Sequence, residues 1–564
     1  MQDAWWKEAV IYQVYPRSFK DANGDGVGDI PGIIEKLDYI RDLGATAIWL
    51  NPIFASPHVD NGYDVSNYEK IDPVFGTMED VEHLIKEAKK RGLKIILDLV
   101  LNHTSDRHPW FQEARKSKEN PYRDYYIWHD PVEGHEPTNW ASFFGGSTWA
   151  FDQQTGQYYF HLFSDKMPDL NWENKKVREE MAKIALFWLD KGVDGFRLDA
   201  VIHLAKDTRF LPVKTKSEEA FVLAEQYYAN LPRVHDYIRE FNRTIKAKHP
   251  EAFLIGETAS ADTKLARLYS RPDREECDCI ITFNYLGFDT EAKKPGIPQN
   301  WQQGKWDLLA FKKAMSQWQH DLYGEGFNSL YWNNHDMPRA LSRFGDEGKY
   351  REKSAKMLAT LMYLQWGLPI LLQGEEIGMV NLKLPRLQDY EDPSIKGLAT
   401  IAKKKGYAEE EILKMVQQRS KDTSRGAMQW NNDRYGGFST YAPWLGINED
   451  TRTVNVAAQE KDPGSVLHYY RKLIELKKSM PVFTAGSWEM LADEDPDIYA
   501  YIRKHEGSCA MIVCNTSKKL QTFTCPELTR HRWACLLNNN GYHSKAVPSK
   551  LVLSPFECFV LLQE

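Results

Sequence analysis

The chain has 564 residues, more than one ordinary hydrophobic core accommodates, so several domains are expected. With 42% hydrophobic and 27% charged residues it has the composition of a soluble globular protein, and no apolar run approaches the roughly 18 residues that a membrane span needs. A net charge of −7 without a dominant Lys/Arg block argues against a nucleic-acid partner, while 13% aromatic residues, including 18 Trp, supply flat faces of the kind that sugars stack on.

From the N-terminus the chain runs at once into "VIYQVYPRSF" (10–19), with no charged segment and long apolar core before it, so no secretory leader is expected and a cytoplasmic location is. "ATAIWLNPI" (45–53) is the next candidate strand. Val81, Leu84, Ile85 and Ala88 then recur at helical spacing, with Thr77 as N-cap and Gly92 as terminator, before the continuous apolar run "LKIILDLVLNH" (93–103). Residues 104–173 break the rhythm: they are rich in Trp, Tyr, Phe, Gly and Pro, show little helical period, and read as an irregular insertion after the third strand.

The alternation resumes with a helical face of Val177, Met181, Ile184, Ala185 and Trp188, followed by "GVDGFRLDA" (192–200). Four more strand candidates follow: "AFLIGET", "CIITFNY", "SLYWNNHD" and "PILLQGEEIG". Eight strands separated by helical patterns predict an α/β fold, a closed parallel barrel in preference to an open sheet, although counting does not separate the two. From about residue 485 short alternating runs such as "DIYAYIRKH" and "SCAMIVCN" predict an antiparallel β-domain. The expected division is therefore a barrel from 1–103 and 174–484, an insertion at 104–173 and a β-domain at 485–564. The seven cysteines, five of them after residue 500, fit no zinc spacing and read as free thiols of a reducing compartment.

If the barrel is right, charges at the carboxyl ends of its strands point into the mouth where sites of this fold lie. Asp98 and His103 end the third strand, Arg197 and Asp199 the fourth, Glu257 the fifth, and His335 with Asp336 the seventh. Clustered carboxylates without a serine or cysteine nucleophile suit glycoside hydrolysis, in which one carboxylate attacks the anomeric carbon and another protonates the leaving oxygen. The zinc-protease helix motif and the phosphate-binding P-loop are both missing.

"DLVLNH", "GFRLDA", "IGET" and "NNHD", in this order and spacing, resemble the four central motifs of glycoside hydrolase family 13, the α-amylase family. Supporting stretches are "NPIFASPHVDNGYDV" (51–65), "MPDLNW" (167–172) and "GLPILLQGEEIGM" (367–379). The resemblance covers essentially the whole chain and points to the oligo-1,6-glucosidase and α-glucosidase branch. It implies a (β/α)8 TIM barrel with an insertion domain after strand 3 and a C-terminal antiparallel β-sandwich.

Carried onto matching positions, the resemblance implies Asp199 as nucleophile, Glu257 as acid/base and Asp336 as third carboxylate. Arg197 would keep the nucleophile ionised, and His103 and His335 would bind hydroxyls of the glucose ring. Asp60 and Arg425 match the pair that binds the terminal 4-hydroxyl, Tyr63 the platform beneath the ring, and Phe144, Phe163 and Arg339 further pocket positions. A structural calcium, or magnesium, is implied on Asp21, Asn23, Asp25, Asp29 and the carbonyl of Val27. The loop "DANGDGVGD" (21–29) has the alternating oxygens of a calcium loop, with Gly32 where an EF-hand would place its bidentate Glu. No organic cofactor is implied.

In this branch the residue after the nucleophile tends to be Val in enzymes that prefer α-1,6 links and smaller, or Thr, in those that prefer α-1,4. Here it is Ala200, while Met167 replaces the usual Gln, and Thr258 and Met337 also depart from common residues. The expectation is a retaining exo-α-glucosidase, monomeric or homodimeric, that releases glucose from maltose and short maltooligosaccharides. The alternatives are an oligo-1,6-glucosidase, a trehalose-phosphate hydrolase and a sucrose isomerase. A non-catalytic transporter subunit of the same fold is disfavoured, because all three carboxylates are in place.

Overall fold

The computed structural model describes residues 4–215, 220–542 and 547–564. Eight parallel strands form its centre: β1 (Ile11–Val14), β2 (Ala47–Leu50), β3 (Lys94–Val100), β4 (Gly195–Asp199), β5 (Phe253–Glu257), β6 (Cys279–Ile281), β7 (Ser329–Leu330) and β8 (Leu368–Leu372). They pair in the order β6-β5-β4-β3-β2-β1-β8-β7, and a parallel bridge between Ile280 and Asn328 closes the ring into a barrel. All eight expected strands form. They are shorter than their apolar runs suggest, because the polar residues at their carboxyl ends leave the ladder and line the mouth.

Helices cover the outside for the reasons the sequence gives. In Met78–Lys90 the side chain of Thr77 accepts from the Asp80 N–H and Asp80 returns the bond, while Val81, Leu84, Ile85 and Ala88 are buried. Lys175–Asp190 is capped by Asn174 and buries the Val177, Met181, Ile184, Ala185 and Trp188 face on the barrel.

The segment after β3 is not featureless. Trp128–His129, Gln157–Phe160 and Trp149–Asp152 make a small antiparallel sheet, and its aromatic residues close around Trp140, Trp149 and Phe160 into a core of their own. A second excursion, which the sequence reading folds into the barrel, follows β8. Helices Ser394–Lys404 and Glu409–Arg419 pack through Leu398, Ala402, Ile412 and Val416 against Ile297 and Trp301. Buried Asp289 fastens this unit by ion pairs to Arg343 (2.7 Å) and Arg419 (2.8 Å). It returns residues 421–425 across the barrel mouth.

The C-terminal part is a five-stranded antiparallel sheet, from Ser487–Met490 to Cys558–Gln563, facing a two-stranded sheet of Gln521–Phe523 and Leu551–Leu553. Ile498, Ala500 and Ile502 alternate into the core between the two sheets, together with Phe523 and Leu553. Fully buried Arg503 docks this sandwich on the barrel by donating to the carbonyls of Phe483, Gly486 and Ser487, at 2.8–3.1 Å. The seven cysteines are unpaired, and all but Cys535 are buried. Among the described residues no helix is long and apolar enough to cross a membrane.

Candidate active site

Strand register builds the site. Asp98 on β3 lies opposite Arg197 on β4, and Val100 opposite Asp199, so the three charged residues face the barrel axis at adjoining levels. Arg197, 1% exposed, spans the carboxylates: Nη1 is 2.8 Å from Asp98 and 2.5 Å from Asp199, and Nη2 is 2.9 Å from Glu257 at the end of β5. Such a buried cation is tolerable only because its charge-assisted bonds replace water.

Immediately after the strand, Ala200 adopts a left-handed conformation (φ 46°, ψ 33°), uncommon for a residue with a side chain. The turn aims its N–H at Glu257 Oε2, 3.0 Å away. Glu257 and Asp199 each keep one oxygen outside this lattice, and both residues line the same cavity. Burial raises the pKa of Glu257 to about 7 while Arg197 pulls it down. Burial likewise pushes Asp199 up to about 7, opposed by Arg197 and reinforced by the negative charges of Asp98 and Asp336.

The cavity, about 390 Å³, opens at the carboxyl ends of the strands. Its lining includes nine of the expected residues: Asp199, Glu257, Asp336, Asp60, Tyr63, His103, Phe144, Phe163 and Ala200. A larger groove of about 930 Å³ lies at the opposite end of the barrel around Trp5, Trp6 and Trp366, away from every carboxylate named above.

Four expected residues stand behind the wall. Arg197 is the bracket just described. His335, 1% exposed, sits under Tyr63, its ring stacked at 5.3 Å and its Nε2 2.6 Å from the Tyr63 hydroxyl and 3.1 Å from Asp336 Oδ2. Tyr63 in turn donates to Asp98 Oδ2 at 2.8 Å. Arg339 is not a pocket residue: it is 1% exposed and donates to the carbonyls of Gln373 and Ser424, holding β8 to the segment that follows it.

Arg425 and Asp60, the two residues implied for the terminal 4-hydroxyl, are each held by a different partner. The Arg425 guanidinium is 3.2 Å from Asp336 and 2.8 Å from the His335 carbonyl, which fixes the third carboxylate. Asp60 is held instead by Lys421 Nζ at 2.8 Å, and that ammonium also lies 5.3 Å from the Phe144 ring. Lys421 is four residues before Arg425 in "KDTSR", so one turn of chain supplies both cations. The sequence offered no sign that the nearer lysine would take the carboxylate.

His103 presents a neutral ring, since burial lowers its pKa to about 4. Its Nδ1 accepts from the Asn102 amide at 3.2 Å, and Nε2 has no partner among the described residues. That nitrogen is free to donate to a sugar oxygen. His203, Glu225, Ser260 and Ser394 also line the cavity and were not foreseen.

In the 21–29 loop, Asp21 and Asp29 are each 2% exposed and form no ion pair with a described residue. Asp21 accepts from the N–H groups of Gly24 and Gly26 and from the Ser439 hydroxyl, at 2.6–2.8 Å. Asp29 accepts from Gly32, Ala22 and Asn23. An all-oxygen set with two buried, unpaired carboxylates has the chemistry of a calcium loop. Among the described residues, however, no three His, Cys, Asp or Glu side chains converge as a metal-binding group.

Comparison with known proteins places this geometry. Residues 13–486 match the alpha amylase catalytic domain, and 488–560 match the maltogenic amylase C-terminal domain. The oligo-1,6-glucosidase of Parageobacillus thermoglucosidasius is 44% identical over 562 residues, covering 99% of both chains. Among solved structures, the trehalose-6-phosphate hydrolase of Bacillus licheniformis superposes with a TM-score of 0.92 at 40% identity over 100% of both chains. The trehalulose synthase MutB of Pseudomonas mesoacidophila MX-45 gives 0.93 at 39% identity over 99% of both. The chain belongs to the α-amylase family of glycoside hydrolases and is a retaining glycosidase.

Proposed function

We propose that this enzyme is an exo-acting α-glucosidase of short gluco-oligosaccharides, with α-1,6-linked isomalto-oligosaccharides as its first substrates. The observation that carries the reading is the shared guanidinium. One fork fixes both Asp199 and Glu257 at the floor of a cavity whose far side is closed by the Asp60–Lys421 ion pair.

In the mechanism that follows, Asp199 attacks the anomeric carbon while Glu257 passes its proton to the leaving oxygen. The glycosyl-enzyme is then hydrolysed by a water that Glu257 deprotonates. A double displacement uses carboxyls about 5–5.5 Å apart, and a common arginine suits that closeness. Asp336, steadied by Arg425, and His103 would grip hydroxyls of the distorted ring. With the Asp60–Lys421 pair across its far side, the cavity would seat a terminal residue, and the action would be exo.

The linkage follows the relatives named oligo-1,6-glucosidase; the α-1,4 preference expected from Ala200 finds no counterpart among those names. It stays as the second reading because Ala200 lines the cavity beside Glu257. We also propose a calcium ion on the 21–29 loop, supported by its two buried unpaired carboxylates. A panel of isomaltose, maltose, trehalose and sucrose tests the assignment. Isomaltose should give the highest kcat/KM, and fastest turnover of maltose would favour the second reading.

A further inference from the structure

The cavity has two halves. Asp60, His103, Asp336 and Lys421 come from segments that follow β2, β3, β7 and β8, and surround the glucose to be released. The other half comes from segments after β4, β5 and β6, where Glu257 stands. An acid must reach the leaving oxygen, so this half faces the leaving group. Its wall includes Ala200, His203, Glu225, Ser260 and Phe283.

Two of these residues present a hydrogen-bond acceptor that no donor among the described residues meets. The Nδ1 of His203 lies 2.9 Å from the Tyr228 carbonyl, which can only accept, so Nδ1 carries the proton. Nε2 is therefore a lone-pair acceptor, and it bonds to no described residue. Burial among Phe143, Phe163 and Tyr228 keeps the ring neutral. Glu225 begins the short turn Glu225–Tyr227, and among the described residues its carboxylate meets no cation and no donor. Among the described residues Lys421 is the only Lys or Arg lining the cavity, and it belongs to the opposite half, bound to Asp60.

We propose that Glu225 and His203 make the leaving-group site a reader of uncharged, hydroxyl-bearing sugars and exclude leaving sugars that carry a phosphate. A sugar hydroxyl can donate to both groups. A phosphate dianion finds a carboxylate and a lone pair where it needs donors, and like charges in apposition are penalised strongly. The inference rests on the α-glucosidase reading and extends it to the chemical class of the leaving group.

The test compares maltose and trehalose with the same disaccharides phosphorylated on O6 of the leaving glucose. Wild type, Glu225→Gln and Glu225→Lys are assayed, with p-nitrophenyl α-glucoside as the common reference. For wild type the ratio of kcat/KM, phosphorylated over neutral, should lie below about 0.01; the lysine variant should raise it about 10-fold or more and the glutamine variant by less. The proposal is overturned if wild type takes the phosphorylated sugar as well as the neutral one, or if the ratio is the same in all three proteins. Failure of wild type to cleave p-nitrophenyl α-glucoside would instead overturn the underlying glucosidase reading, and the inference with it.

Discussion

Asp98 and Arg197 face each other directly in the β3–β4 register and meet at 2.8 Å through Nη1, which also holds Asp199, while Nη2 holds Glu257. The fork, more than the charge, does the positioning, since its two Nη atoms stand apart on a rigid plane and reach three carboxyls, whereas an ammonium presents all its protons from one nitrogen on a flexible stem. Arg197→Lys should keep the fold and lower kcat about 100-fold or more. Steady-state kinetics alongside circular dichroism would check it, and a variant with near-normal kcat would show that charge alone suffices.

The pH profile follows from the two active carboxyls, both raised by burial to about 7. The negative charge of Asp199 raises Glu257, so the protonation of one bears on the other, and the singly protonated form is the active one. kcat/KM should therefore be bell-shaped with its maximum near neutrality. It should fall at higher pH as Glu257 loses the proton it must donate, and at lower pH as Asp199 gains one. The charge of Asp98 raises the pKa of Asp199. Asp98→Asn should therefore move the acid limb to lower pH, whatever it costs in rate.

Much of this was legible in the chain itself. Eight apolar runs marked the alternating α/β pattern, the family resemblance pointed to its closure as a barrel, and the charged residues at the strand ends marked the working face, because a buried strand seldom ends in Arg or Asp without a use for it. What escaped depended on tertiary closure. Nothing in "DTSRGAMQW" tells which cation Asp60 meets, since that is decided by how the 394–419 helices return the chain over the mouth. His335 lies in the "NNHD" motif and Arg339 three residues beyond that motif, yet both side chains turn into the wall. The left-handed backbone at Ala200 is likewise invisible in the sequence, because alanine rarely adopts it.

Ala200→Val adds two methyl groups to the leaving-group side of the cavity and a β-branched side chain at a left-handed residue. Steric differences of this size change discrimination by roughly 10- to 200-fold. The ratio of kcat/KM for isomaltose to that for maltose should rise in the variant. An unchanged ratio would detach linkage choice from this position.

Removing divalent ions should expose the buried carboxylates of the 21–29 loop. Thermal denaturation with excess EDTA should give a Tm several degrees below that in millimolar calcium, in line with the roughly 2.7 kcal/mol that a ligand at 100-fold its Kd contributes. Asp21→Asn should abolish the difference while leaving kcat within about 3-fold, since the loop lies outside the active-site cavity. Identical melting in both buffers would mean that the loop is held by its own peptide bonds.

The central claim is double displacement by Asp199 and Glu257, and the stereochemistry of the first product tests it most directly. Proton NMR during early turnover of isomaltose, before mutarotation, should show α-glucose from the released terminal residue, with no such signal for Asp199→Asn. Release of β-glucose, or undiminished turnover by Asp199→Asn, would contradict the account.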